Sequence, residues 1–147
     1  MLFRSVPYRG GGPLAVDLIA GQVQMSFASL PSVLQFIRAG RLRAIAVPTA
    51  KRSRALPEVP TFTEAGIAGF EASNWQGIYL PAKTPAAIVT RLNDELRTSL
   101  ATAEVDRQLA QNGFDPVGST PAELAAMMRT EQAKWAKVVK DSGARAE

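Results

Sequence analysis

Apolar and polar positions follow two rhythms along the first third of the chain. In "QVQMSFAS", Gln22 to Ser29, the residues Val23, Met25 and Phe27 fall on one side and Gln24 and Ser26 on the other. That period of two predicts a half-buried strand. Phe3 to Tyr8 and Leu42 to Val47 predict two further short strands, the first with Pro7 near its end. Between the strands the rhythm becomes helical. Pro13 to Ala20 brings Leu14, Leu18 and Ile19 to one side, with Gly21 as the stop. Ser29 is placed to cap a second helix, with Pro31 in its first turn, Leu34 and Ile37 on its apolar side and Gly40 at its end. Strand, helix, strand, helix, strand predicts an α/β layer with right-handed crossovers.

A proline-rich connection follows, with Pro48, Pro57 and Pro60. Within it "TFTE", Thr61 to Glu64, has the form of a capping box opening one or two helical turns that end at Gly66. "FEASNWQGIYL", Phe70 to Leu80, reads as extended and is long for one strand, which typically has about 5–6 residues. Beyond it the pattern is helical. Thr84 and Pro85 open a helix to about Leu100, with Ile88, Leu92, Leu96 and Leu100 four apart. "AEVDRQLAQNG" predicts another, stopped by Gly113, followed by a short extended "FDPVG". "TPAE", Thr120 to Glu123, is a second capping box and opens a helix to about Asp141. Its apolar stripe is Leu124, Met128, Trp135, Val138 and Val139, so Trp135 is expected in the core. Core packing is also the expectation for Trp75.

Composition narrows the chemistry. At 147 residues, 46% apolar and 20% charged, the chain has room for one domain or two small lobes. It has no Cys and no His. The usual thiol nucleophile, general base and commonest metal ligands are therefore missing, which argues against hydrolases and metalloenzymes. Net charge is +4, with basic clusters at Arg38, Arg41 and Arg43 and at Lys51, Arg52 and Arg54. No aromatic residue is interleaved with either cluster, so nucleic acid is not an expected partner. Both clusters read as solvated charge, as do Asp94, Glu95, Asp106, Glu123 and Glu131. No run approaches the roughly 20 apolar residues of a membrane span, and "MLFRSVPYRGG" lacks the form of a signal peptide.

The sharpest local feature is "VPYRGGGPLAVDL", Val6 to Leu18. Strand, glycine turn and helix together present free backbone N–H groups at the positive end of a helix dipole, where an anion binds. Gly10, Gly11 and Gly12 allow close approach to the backbone, Arg9 offers charge-assisted hydrogen bonds, and Tyr8 offers a ring and a hydroxyl. Neither nucleotide loop fits. No Lys-Ser or Lys-Thr follows the glycines, and Leu14 and Ala15 stand where a dinucleotide loop needs glycine. On residues alone, a plain tight turn and a carboxylate or phosphate site both remain open.

"VPYRGGGP", "KRSRALPEVPTFTEAG" and "LPAKTP" leading into a helix, with "NGFDPVGSTPAELAAMMRTEQAKWAKVVKDSG", resemble the substrate-binding proteins of tripartite tricarboxylate transporters, the Bug or TctC-type solute receptors. The resemblance runs from Val6 over nearly the whole chain. It implies a periplasmic-binding-protein fold of the type II, Venus-flytrap kind, in which two α/β lobes close on a small carboxylate. It implies that residues 1–71 are part of the second lobe, 72–80 an extended crossover and 81–147 the helical C-terminal part of the first lobe. It implies a binding loop at Tyr8, Arg9, Gly10, Gly11 and Gly12, with "FASLP" as a second loop. There Ala28 and Ser29 stand where many relatives have Asp or another polar residue, which argues against an amino-acid ligand. Relatives are about twice as long, so the resemblance further implies a fragment without signal peptide or most of the first lobe. The implied setting is the periplasm, the partners the transporter's membrane components, with no cofactor or metal. Two other readings stand beside it. One is an enzyme using Arg9 and the glycines as an anion hole; the other is a remnant or interaction module that self-associates or pairs with another chain through exposed surface.

Overall fold

Helix starts and stops follow the sequence closely. In the computed structural model, which describes residues 4–143, the helices are α1 Gly11–Ile19, α2 Leu30–Arg38, α3 Ala86–Leu100, α4 Ala103–Gln111 and α5 Pro121–Ser142. Helix α1 starts two residues before the expected Pro13, because Gly11 and Gly12 already have helical backbone. Helix α5 has its full capping box. The Glu123 N–H donates to Thr120 Oγ1, and the Thr120 N–H donates to Glu123 Oε2 at 2.7 Å. The box at Thr61 and Glu64 also closes, but on a turn rather than the expected short helix. Glu64 there answers to Arg52 as well, and that tie holds the segment as a tight loop.

The chain divides into two compact units. One comprises the chain up to Trp75 together with Ala103–Pro116; the other comprises Gln76–Thr102 and the chain from Val117 on. The extended segment 70–80 therefore contains one passage between them, and α4 returns to the first unit. Three contacts account for that return. Arg54 grips Asp106 with two hydrogen bonds of 2.8 and 2.7 Å, Arg38 donates to the Gln111 carbonyl at 2.9 Å, and Gly113 lies against Leu30 and Leu34. Arg54 and Asp106 are thus a tie across 52 residues, not the separate solvated charges expected.

The first unit holds the core: Leu34, Leu56 and Val59, with Leu30, Ile37, Ala44, Val47 and Ala55 packed around them. The three expected strands do not form a sheet. Phe3 lies outside the described residues. Among the described residues the one piece of β structure is an isolated parallel bridge between Val47 and Thr61. A period-two pattern marks a face to be buried but does not supply the neighbour that pairs with it. In doubly wound sheets the strand order reverses at a switch point, so a strand's neighbour can come from a distant part of the sequence. Phe27 and Ile45, on segments expected as strands, are 72% and 74% exposed.

In the second unit, no residue of α3 or α5 is buried. Trp135 is 38% exposed rather than in the core. Its indole N–H donates to Glu131 Oε2 at 2.7 Å, and the Lys134 ammonium lies 5.3 Å from its ring centroid. An indole needs an acceptor for its one N–H, and one turn back along α5 Glu131 provides it at the surface.

Candidate functional site

Gly10 begins the site. Its φ of 98° and ψ of 176° lie in a region that is essentially glycine-only, and it is the N-cap of α1. Neither α1 nor α2 has a side-chain cap hydrogen bond or an acidic residue in its first turn. Both helix starts therefore keep their positive dipole ends without an acidic neighbour in the first turn.

The two starts are brought together. A Cβ placed on Gly11 would lie 2.7 Å from Ser32 Cβ and 2.8 Å from Ser32 Oγ. Ser32 sits in the first turn of α2, and its hydroxyl donates to the Ser29 carbonyl at 2.7 Å. Ser29 is the N-cap of α2, and half-buried Ala28 precedes it. Gly11 is thus a packing glycine that lets α1 approach α2. Gly12 has nothing within 4 Å of its Cβ position, so its missing side chain leaves backbone open. Arg9 and Gly10 are exposed.

Tyr8 is half-buried, and its hydroxyl donates to Asp17 Oδ2 at 2.9 Å. Burial, then the hydrogen bond and charge of Asp17, push the phenol above its ordinary pKa. Asp17 and Ser32 were not among the residues the sequence singled out. Their only signal is spacing: Asp17 lies seven residues after the N-cap Gly10, on the same side of α1.

A hollow of about 520 Å³ in the same unit is lined by Thr49, Lys51, Arg52, Glu64 and Phe70, among others. Arg52 and Glu64 already satisfy each other there, with Nε to Oε2 at 2.8 Å. The guanidinium also donates to the Pro57 carbonyl at 3.0 Å. These groups hold the "KRSRALPEVPTFTEAG" loop together.

Solved structures define the class as periplasmic binding protein. Rpa4515 of R. palustris with adipate is 36% identical, with a TM-score of 0.86 over 94% of this chain and 46% of its own. The periplasmic binding protein BugD is 28% identical, with a TM-score of 0.80 over 100% of this chain and 50% of its own. MatC from Rhodopseudomonas palustris with bound malate is 31% identical, with a TM-score of 0.78 over 91% and 47%. The chain belongs to the tripartite tricarboxylate transporter family receptors, whose family model matches residues 1–144. It spans about two-fifths of the length of the first curated relatives it matches. These receptors capture a solute and are not enzymes.

Proposed function

We propose that this chain supplies one side of the carboxylate site of a periplasmic solute receptor serving the membrane components of a tripartite tricarboxylate transporter. The observation that carries the reading is the meeting of two helix starts without side-chain caps, with Gly11 against Ser32. Two such helix starts in contact offer first-turn N–H groups and positive dipole ends close together, which supports a carboxylate as the ligand. Arg9 adds charge, Gly10 sets the turn, Gly12 leaves the backbone approachable, and Ala28 and Ser29 form the second edge. The adipate and malate of the two related structures are both dicarboxylates, which supports this ligand class.

A closing receptor holds its ligand from two sides. The test is therefore a melting series over citrate, malate, succinate, glutamate and nicotinate. It compares this chain with a receptor of full family length that contains its sequence. At 100 times the dissociation constant, the longer receptor gains about 2.7 kcal/mol with its ligand, and the 147-residue chain gains little. Arg9→Ala removes the gain by removing charge. Gly12→Val removes it by covering the backbone, without the collision with Ser32 that Gly11→Val would cause. No shift with any carboxylate in the longer receptor overturns the ligand class. A strong shift in the 147-residue chain alone overturns the two-sided site.

A second reading, a module that pairs with another chain or with its own copy, is favoured by the exposed Phe27, Ile45, Ile78 and Val139. A sedimentation measurement decides it: a monomer at all concentrations removes self-association.

A further inference from the structure

The Tyr8–Asp17 hydrogen bond spans the loop whose conformation the receptor reading depends on. Tyr8 stands two residues before the N-cap of α1, and Asp17 lies in the second turn of that helix. Between them run Arg9 and the three glycines, which have almost no side-chain contacts of their own to fix them. Gly10 and Gly12 have nothing within 4 Å of their Cβ positions, and the Cβ position of Gly11 meets Ser32. Gly11 and Gly12 are already held in α1, so the freedom left to restrain is that of Arg9 and Gly10 at the entry to the helix. A phenol has one proton to donate. Here that proton goes to Asp17, so Tyr8 has none left for a ligand carboxylate.

We infer that Asp17 is a positioning residue. It clamps Tyr8 along the side of α1, fixes the entry of the chain into the triglycine turn, and makes Tyr8 part of the clamp rather than a proton donor to the ligand. The half-buried position of Tyr8 and its raised pKa agree with a hydroxyl committed to a carboxylate. The inference deepens the receptor reading and relies on it for why the turn matters. Its test needs no ligand, so the two fail separately.

The test compares Tyr8→Phe, Asp17→Ala, Asp17→Asn and the double variant Tyr8→Phe/Asp17→Ala in this chain. One readout is trypsin cleavage of the exposed Arg9–Gly10 bond, located by mass spectrometry. The other is absorbance titration of the phenols, in which Tyr8→Phe separates Tyr8 from Tyr79. Tyr8→Phe and Asp17→Ala each speed cleavage several-fold, and the double variant is no faster than either single, because both break one interaction. Asp17→Asn keeps an acceptor oxygen and leaves cleavage near that of the parent chain. It nevertheless lowers the Tyr8 pKa, because the charge is gone. Circular dichroism confirms that α1 persists in each variant. Unchanged cleavage in Asp17→Ala, additive single effects, or an unmoved Tyr8 pKa in Asp17→Asn would each overturn the clamp.

Discussion

The unit that carries the glycine loop is tied together across long stretches of sequence, whereas the other is joined mostly by near neighbours. In the first, Arg54 reaches Asp106, Arg38 reaches Gln111, and Arg52 holds both Glu64 and Pro57 around a core of Leu34, Leu56 and Val59. In the second, ion pairs run within one helix: Arg91 to Glu95, Lys134 to Glu131 and Lys137 to Asp141. Its longer links are Asn93 to the Ser119 carbonyl and Tyr79 to Met128. The first unit holds its candidate site among ties that cross long stretches of sequence. The second is helix first and packing second, with its apolar stripes exposed.

Truncating the core tests this comparison most severely. Leu34 is 3% exposed and Leu92 is 41% exposed. Leu34→Ala is expected to cost about 2–5 kcal/mol, the range for a buried leucine. Leu92→Ala should stay within about 0.5 kcal/mol, as exposed substitutions do. Urea unfolding followed by tryptophan fluorescence measures both, with Trp75 reporting on the first unit and Trp135 on the second. Equal costs would mean that α3 is packed as firmly as α2.

A smaller effect comes from two glycines at positive φ, one in each unit. Gly113 has φ +82° and a Cβ position 3.1 Å from Leu30 Cγ. Gly118 has φ +63° with nothing nearer than 3.9 Å. An alanine in left-handed backbone costs roughly 1–2 kcal/mol. Gly118→Ala should show that cost alone. Gly113→Ala should exceed it, because Leu30 must also give way. If the two variants unfold at the same urea concentration, Gly113 is not held against Leu30 as closely as its 3.1 Å approach implies.

The same contrast explains what was legible in the sequence. Helices were legible because a start, a stripe and a stop lie within one short window, as Pro31, Leu34 with Ile37, and Gly40 do for α2. The glycine turn at the start of α1 was legible from its own residues, while its contact with Ser32 was not. That the expected strands stay unpaired among the described residues was not, because pairing is a property of two segments and the period of "QVQMSFAS" describes one. Arg54–Asp106 was not, because no pattern marks partners 52 residues apart. Asp17 was overlooked for a different reason. A single acidic residue on a short helix looks like surface charge until its partner is located.

Acid provides the mildest test, and its sign follows from three carboxylates. Hydrogen bonding to Arg52, then to the Thr61 backbone, holds Glu64 below its ordinary value. The hydrogen bond from Arg54 does the same for Asp106. Glu123 is lowered first by the Thr120 backbone and then by its hydroxyl, with Arg97 a minor contributor. Each folded pKa lies below its unfolded counterpart, about 4.3 for Glu and 3.9 for Asp. Their stabilisation is therefore complete above those values and is lost as pH falls through the folded pKa. Both units should weaken on acidification below about pH 4. The units differ in what salt does. The first depends on guanidinium pairs, which are exposed to screening, and roughly 1 M salt shortens the screening length to about 3 Å. The second depends on a cap hydrogen bond, which screening hardly touches. Carboxyl-carbon NMR titrations at low and high salt should therefore move Glu64 and Asp106 back toward their ordinary values while Glu123 stays low. An equal movement of all three would show that the Arg52 and Arg54 ties are no more electrostatic than the cap of α5.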